Sequence, residues 1–262
     1  SSMSNAGNAP QGSPGDIGNW PMLKIVYRTD PDAIAAVLPP GISPGAKPHV
    51  NLTIYNVPVP DEPEYGILQT VDADYNGTAG EYALGYGIDQ ESAIFISRDH
   101  NGQPKYPCTT EYYRHGPNVS ARASHQGYTF VEFRGTSSGD NDPLPEFDMH
   151  EWWVKFSLAV GVMPDPARGY DFPPHVVHVR SRYGTAWREK VEGQLVLRDS
   201  PWDPLASRLP LREQVSAHLW WPTFLDREVT LAGKLDPDGF MPFTDTISGS
   251  RWQGTRGGPR RA

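Results

Sequence analysis

Lysine is scarce in this sequence of 262 residues: Lys24, Lys47, Lys105, Lys155, Lys190 and Lys234 stand against 17 arginines. Lys105 is the one whose surroundings suggest chemistry. It lies in Asn101-Gly102-Gln103-Pro104-Lys105-Tyr106-Pro107-Cys108, with prolines flanking the Lys105-Tyr106 pair, just after the apolar run Ala93 to Ile96. Proline fixes φ and stiffens the local backbone, one way of holding a nucleophile at the end of a strand. An amine attacks a carbonyl only when deprotonated, and an unperturbed lysine, with a pKa of about 10.4, is cationic near neutral pH. A nucleophilic Lys105 must therefore be desolvated or set beside another cation, whereas the same residues also suit an ordinary exposed loop lysine.

Other constellations offer less. His150-Glu151 lacks the second histidine of a zinc-protease helix, and His175 and His178, three apart in an expected strand, fall on opposite faces. Cys108 is the single cysteine, which excludes an internal disulfide and any multi-cysteine zinc or iron–sulfur site. The glycines from Gly80 to Gly87 match neither a P-loop nor a dinucleotide fingerprint, and no Gly-x-Ser-x-Gly elbow occurs. These readings point to a reaction without metal or cofactor that uses the protein's own amine. Trp152-Trp153 and Trp220-Trp221 suit either an apolar pocket or the core and subunit contacts. A net charge of −8 gives no general attraction to nucleic acid or to an anionic membrane. No run approaches the roughly 18 apolar residues of a membrane helix and no signal-peptide pattern opens the chain, so the expectation is a soluble, cytoplasmic protein. The sequons at Asn51, Asn76 and Asn118 are then chance matches.

The elements that must position Lys105 are mostly strands. With 26 Gly and 27 Pro, turns are many and long helices few. Met22 to Tyr27 reads as a strand, and Asp30-Pro31 opens a short helix through Leu38 that Pro39-Pro40-Gly41 stops. His49 to Val57, Val119 to Ala123, Tyr128 to Phe133 and Val176 to Arg182 alternate apolar and polar, and Gly193 to Leu197 follows as a separate run. Gly135 to Pro145 reads as a loop. Residues 1–18 hold little to bury and read as a flexible leader, 19–245 as one domain, and 246–262, with Arg251, Arg256, Arg260 and Arg261, as an Arg/Gly-rich tail, solvated or docked on an acidic neighbour.

Three stretches carry a resemblance: Ile25 to Ile34, Tyr75-Asn76-Gly77 through Gly80-Glu81-Tyr82, and Ile88-Asp89 through Ser97-Arg98-Asp99 to Pro104-Lys105. Together they resemble the acetoacetate decarboxylase superfamily, with weaker similarity reaching to about residue 235. The resemblance implies a β-rich α+β fold, a closed antiparallel β-barrel with an internal pocket, and a homo-oligomer. It makes Lys105 the amine that forms a Schiff base with an oxo acid. Acetoacetate decarboxylase is itself the standard example of a lysine activated by desolvation or by a neighbouring cation.

The departures matter as much. The family's decarboxylases have a second lysine after the nucleophile, where this chain has Tyr106, so the pKa of Lys105 must be lowered by burial or by an arginine that the fold brings close. An arginine before the first strand and two glutamates correspond to Trp20, Thr53 and about Gly66, with Glu62 and Glu64 near enough to substitute. This pattern resembles the aldolase-dehydratase branch, which condenses pyruvate with an aldehyde and eliminates water. Tyr106 and Glu81 are then catalytic candidates beside Lys105, and Gln103, Tyr82, Arg98 and Trp20 substrate-binding ones. The alternatives are a buried structural role for Tyr82 and Tyr106, an ion pair between Glu81 and Arg98, decarboxylation of acetoacetate or a bulkier β-keto acid, and a binding protein without chemistry.

Overall fold

The computed structural model describes residues 21–58, 63–162, 165–244 and 250–253, so Trp20 and the expected leader lie outside the described residues. β1 (Met22–Arg28) leads through α1 (Pro31–Val37) and the two-residue β2 (Ser43–Pro44) to β3 (His49–Pro58), β4 (Pro63–Tyr75) and β5 (Thr78–Ile88). α2 (Glu91–Asn101) is followed by β6 (Lys105–Pro107), β7 (Thr109–His115), β8 (Asn118–His125), β9 (Tyr128–Ser137) and β10 (Phe147–Leu158). β11 (Tyr170–Leu197), α3 (Leu205–Arg208), β12 (Glu213–Lys234) and α4 (Pro237–Phe240) follow.

Local sequence explains the frame. In β1, Leu23, Ile25 and Tyr27 are fully buried while their neighbours are not, the period of two of a strand with one apolar face. Pro31 stands at the start of α1, and Leu38 is already extended ahead of Pro39. Asn76-Gly77 turns β4 into β5 with both residues at positive φ, 51° and 81°, the twist that a tight hairpin requires. The apolar run Ala93 to Ile96 belongs to α2, so a helix and not a strand delivers the chain to Lys105.

The strands form one 12-stranded sheet in the order β10-β5-β4-β3-β1-β12-β11-β9-β8-β7, with β2 on β4 and β6 on β5. The expected closed antiparallel barrel is therefore corrected. β10–β5 and β5–β6 are parallel, and the β10–β5 joint is held by only Glu151↔Glu81 and Trp152↔Tyr82. β10 also pairs with β11, which curls part of the sheet back on itself, but β9, β8 and β7 run off as a separate arm ending at β7. The physical reason is the 28-residue β11, which pairs with β10 and β12 along its first two-thirds and with β9 from Val191 to Leu197. Gly184 and Thr185 do not interrupt it: they pair with Thr223 and Pro222.

Two apolar clusters fill the fold. The larger contains Leu23, Ile25, Tyr82, Tyr106, Phe133 and Trp152; the smaller contains Tyr55, Leu68, Tyr86, Ile88, Trp153, Val177 and Val179. In the C-terminal segment Arg251 and Trp252 are buried, so the solvated reading does not hold for them. The Arg251 guanidinium donates to the carbonyls of Gly102 and Val154 at 3.1 and 3.0 Å and packs over Phe156. Burial lowers its pKa to about 10. Among the described residues no helix is long and apolar enough to cross a membrane.

Candidate active site

Lys105 is positioned by the exit from α2. Gly102 ends that helix at φ 67°, with its N–H returning to the Arg98 carbonyl at 2.9 Å. A side chain there would meet the Lys155 backbone at 2.5 Å, so glycine is required both by the left-handed turn and by the close approach. Pro104 then lends its carbonyl to the Tyr86 N–H at 2.9 Å, and Lys105 enters β6 beside Tyr86. Arg98 donates to the Lys105 carbonyl at 2.9 Å, so it braces the Lys105 backbone.

The Lys105 side chain is 8% exposed and its Nζ lies 3.3 Å from Glu64 Oε2. Burial lowers its pKa from the ordinary lysine value, Glu64 opposes that shift by charge and hydrogen bond, and the Arg227 charge adds to the lowering. The second Glu64 oxygen accepts from the Tyr55 hydroxyl at 2.9 Å. Beside this pair, the Tyr86 hydroxyl and the Trp153 indole both donate to Glu151 Oε1. Burial raises the Glu151 pKa, against the lowering by those two hydrogen bonds and by the Arg227 charge. Glu81 stands opposite Glu151 across the parallel joint and accepts from the Thr70 hydroxyl.

The sequence candidates separate onto two faces. Glu81 shares the face of Lys105, and Gln103 is buried one turn of backbone away, its carbonyl 2.7 Å from the Lys105 N–H. Tyr106, next along β6, points the other way: its hydroxyl accepts from Gln69 at 2.6 Å and its ring packs on His125, which bonds Asp203 at 2.7 Å. Tyr82 also belongs to the larger cluster, with burial raising its pKa to about 12. Arg98 contacts the Lys105 carbonyl and Glu81 contacts Thr70, so the geometry gives them separate partners.

In sequence, Glu64 stands out only by its nearness to a departed family position, and Tyr55, Tyr86 and Glu151 carry no site signal. Arg227 did leave a readable signal, a lone cation in the alternating run Leu225-Asp226-Arg227-Glu228-Val229. An open cleft of about 650 Å³ also borders Lys105, with Ile88, Ile94, Arg98, Pro107 and His125 among its walls. Among the described residues no group of three or more His, Cys, Asp or Glu side chains is arranged to hold a metal ion.

A model of the acetoacetate decarboxylase family matches residues 3–235. The chain belongs to that family. An acetoacetate decarboxylase of Streptomyces nogalater is 34% identical over 205 residues, covering 74% of this chain and 79% of the relative. A solved acetoacetate decarboxylase superposes with a TM-score of 0.69 at 19% identity, covering 87% of this chain and 95% of its own. The enduracididine biosynthesis enzyme MppR, complexed with pyruvate, superposes with a TM-score of 0.63 at 19% identity, covering 79% and 87% of the two chains. At those identities the superpositions establish a shared fold.

Proposed function

We propose that this acetoacetate decarboxylase family member is a lyase that forms a Schiff base between Lys105 and a small oxo acid such as pyruvate, and carries the resulting enamine through aldol condensation and dehydration. The coarser part, a catalytic function on a small oxo acid, rests on family membership. The observation that carries the rest is the buried Lys105 amine against the Glu64 carboxylate, with its pKa lowered chiefly by desolvation.

Glu64 takes the ammonium proton, and the freed nitrogen lone pair bonds to the ketone carbon. One N–H proton and the proton on Glu64 pass to the carbonyl oxygen, which leaves as water, giving the iminium. Loss of a proton from the adjacent carbon gives the enamine, whose carbon bonds to the aldehyde carbon while the aldehyde oxygen takes up a proton. The α-carbon then gives up a second proton, the electrons of that C–H bond form the C=C bond, and the hydroxyl leaves as water on a proton from an acid, which recovers its proton from the α-carbon; we assign that role to Glu151, whose pKa burial raises. Water finally hydrolyses the iminium and returns the amine. MppR, with the same fold, has been solved with the condensation product of pyruvate and imidazole 4-carboxaldehyde.

A second reading, decarboxylation, is favoured by the 34% identical relative, an acetoacetate decarboxylase. There the electrons of the breaking carbon–carboxylate bond enter the iminium, carbon dioxide leaves, and protonation and hydrolysis release the ketone. Borohydride trapping with pyruvate and, separately, acetoacetate, read by intact mass and peptide mapping, tests both. The expected result is a pyruvate-derived increment on Lys105 that Lys105→Ala abolishes. Trapping from acetoacetate alone, with carbon dioxide release, would replace the first reading by the second, and no adduct from either in folded protein would refute Schiff-base chemistry on these acids.

A further inference from the structure

The distal half of β12 has two unlike faces. On one, Asp226 and Glu228 pair with Arg180 at 2.6 and 3.6 Å, as charged side chains on a solvent face do. On the other, Arg227, Val229 and Leu231 stand opposite Ser181, Val179 and Val177 of β11. Paired residues share a face, and Val177 and Val179 are buried with Trp153, Tyr86 and Tyr55 in the cluster beside Lys105. Val229 and Leu231 nevertheless remain 38% and 58% exposed. The Arg227 guanidinium lies over the Trp153 ring at 5.9 Å and makes no side-chain hydrogen bond or ion pair among the described residues. A cation whose guanidinium has no carboxylate in direct contact, on the Lys105 side of the sheet and continued by exposed apolar side chains, is complementary to an amphiphilic anion.

We propose that Arg227 binds the carboxylate of the oxo acid whose carbonyl meets Lys105, and that Val229 and Leu231 receive an apolar chain on that acid. This deepens the Schiff-base reading and rests on it. The substrate class is then an oxo acid longer than pyruvate, its chain lying along β12. The reach of the Arg227 charge to both Lys105 and Glu151 places it within the same electrostatic neighbourhood.

The test measures borohydride trapping rates on Lys105 for pyruvate, 2-oxobutanoate and 2-oxohexanoate, beside the neutral ketones 2-butanone and 2-hexanone. In the wild type the acids are trapped faster than the neutral ketones, and the acid series gains up to about fourfold per added methylene. Arg227→Met slows the neutral ketones modestly, because the Lys105 pKa is then less depressed, and loses about tenfold or more beyond that with the acids, Arg227→Lys recovers part of the acid-specific loss, and Leu231→Asn flattens the chain-length series. An undiminished acid preference in Arg227→Met, or a flat series in the wild type, overturns the proposal. Unchanged circular dichroism and melting verify that the variants fold. If the wild type traps no carbonyl compound, the Schiff-base reading has failed, and calorimetric titration of 2-oxohexanoate decides the inference alone: binding that Arg227→Met abolishes supports it, and equal or absent binding overturns it.

Discussion

Glu64 acts on Lys105 in two opposed ways. Its charge and hydrogen bond raise the amine pKa against the lowering by burial, yet in the proposed mechanism its carboxylate takes the proton. Glu64→Gln removes both raising effects, so the Lys105 pKa falls further. Because the reactive form is the neutral amine, the acid limb of kcat/KM moves to lower pH in this variant, while kcat drops by about 10² to 10⁴ with the proton acceptor gone. A pH–rate profile reads both, and an unmoved limb would show that Glu64 does not couple to the nucleophile. Lys105 stands out in the sequence as a candidate because its flanking prolines and the family resemblance are both local, and Glu64 stands out only as a neighbour of a departed family position. Glu151 and Arg227 give no such sign: with Glu64 they come from β10, β12 and β4, and only strand pairing brings them to one face. Tyr106 shows the converse, since adjacency in sequence along a strand means opposite faces in space.

The turn between α2 and β6 sets the position of Lys105 at the helix exit. Gly102→Ala would force both a left-handed φ and a clash with the Lys155 backbone, so it should cost about 2 kcal/mol or more in urea unfolding and lower activity beyond that by displacing Lys105. A variant as stable and active as the wild type would show that the turn relaxes freely. Strands whose apolar and polar residues alternate are readable from that period, as β3, β8 and β9 are, and β1 from its β-branched and aromatic run. α2 is not, because Phe95 and Ile96 are 61% and 68% exposed and blur the apolar stripe by which a helix announces itself. The sequence of β11 divides in two because Gly184-Thr185 has the composition of a turn, and pairing with β12 overrides that preference.

The larger cluster extends to the C-terminal segment, where Trp252 is fully buried and Arg251 ties Gly102 to β10. Trp252→Ala should cost about 3 to 5 kcal/mol in global stability, measured by denaturant titration. A loss below 1 kcal/mol would show that the segment adds little to the core. Composition could not reveal this, since a tryptophan among glycines and arginines has the local character of a tail and its partners lie on distant strands. Long-range pairing has one more consequence. β1 closes on β12, Met22 beside Trp220, and Arg227 comes later still in that strand. Glu64 and Lys105 therefore leave the ribosome long before Arg227, the cation whose charge adds to the lowering of the Lys105 pKa. In the proposed mechanism, a chain not yet extended through β12 holds a more basic and so less reactive amine, and completing the last long strand also completes the tuning of the site.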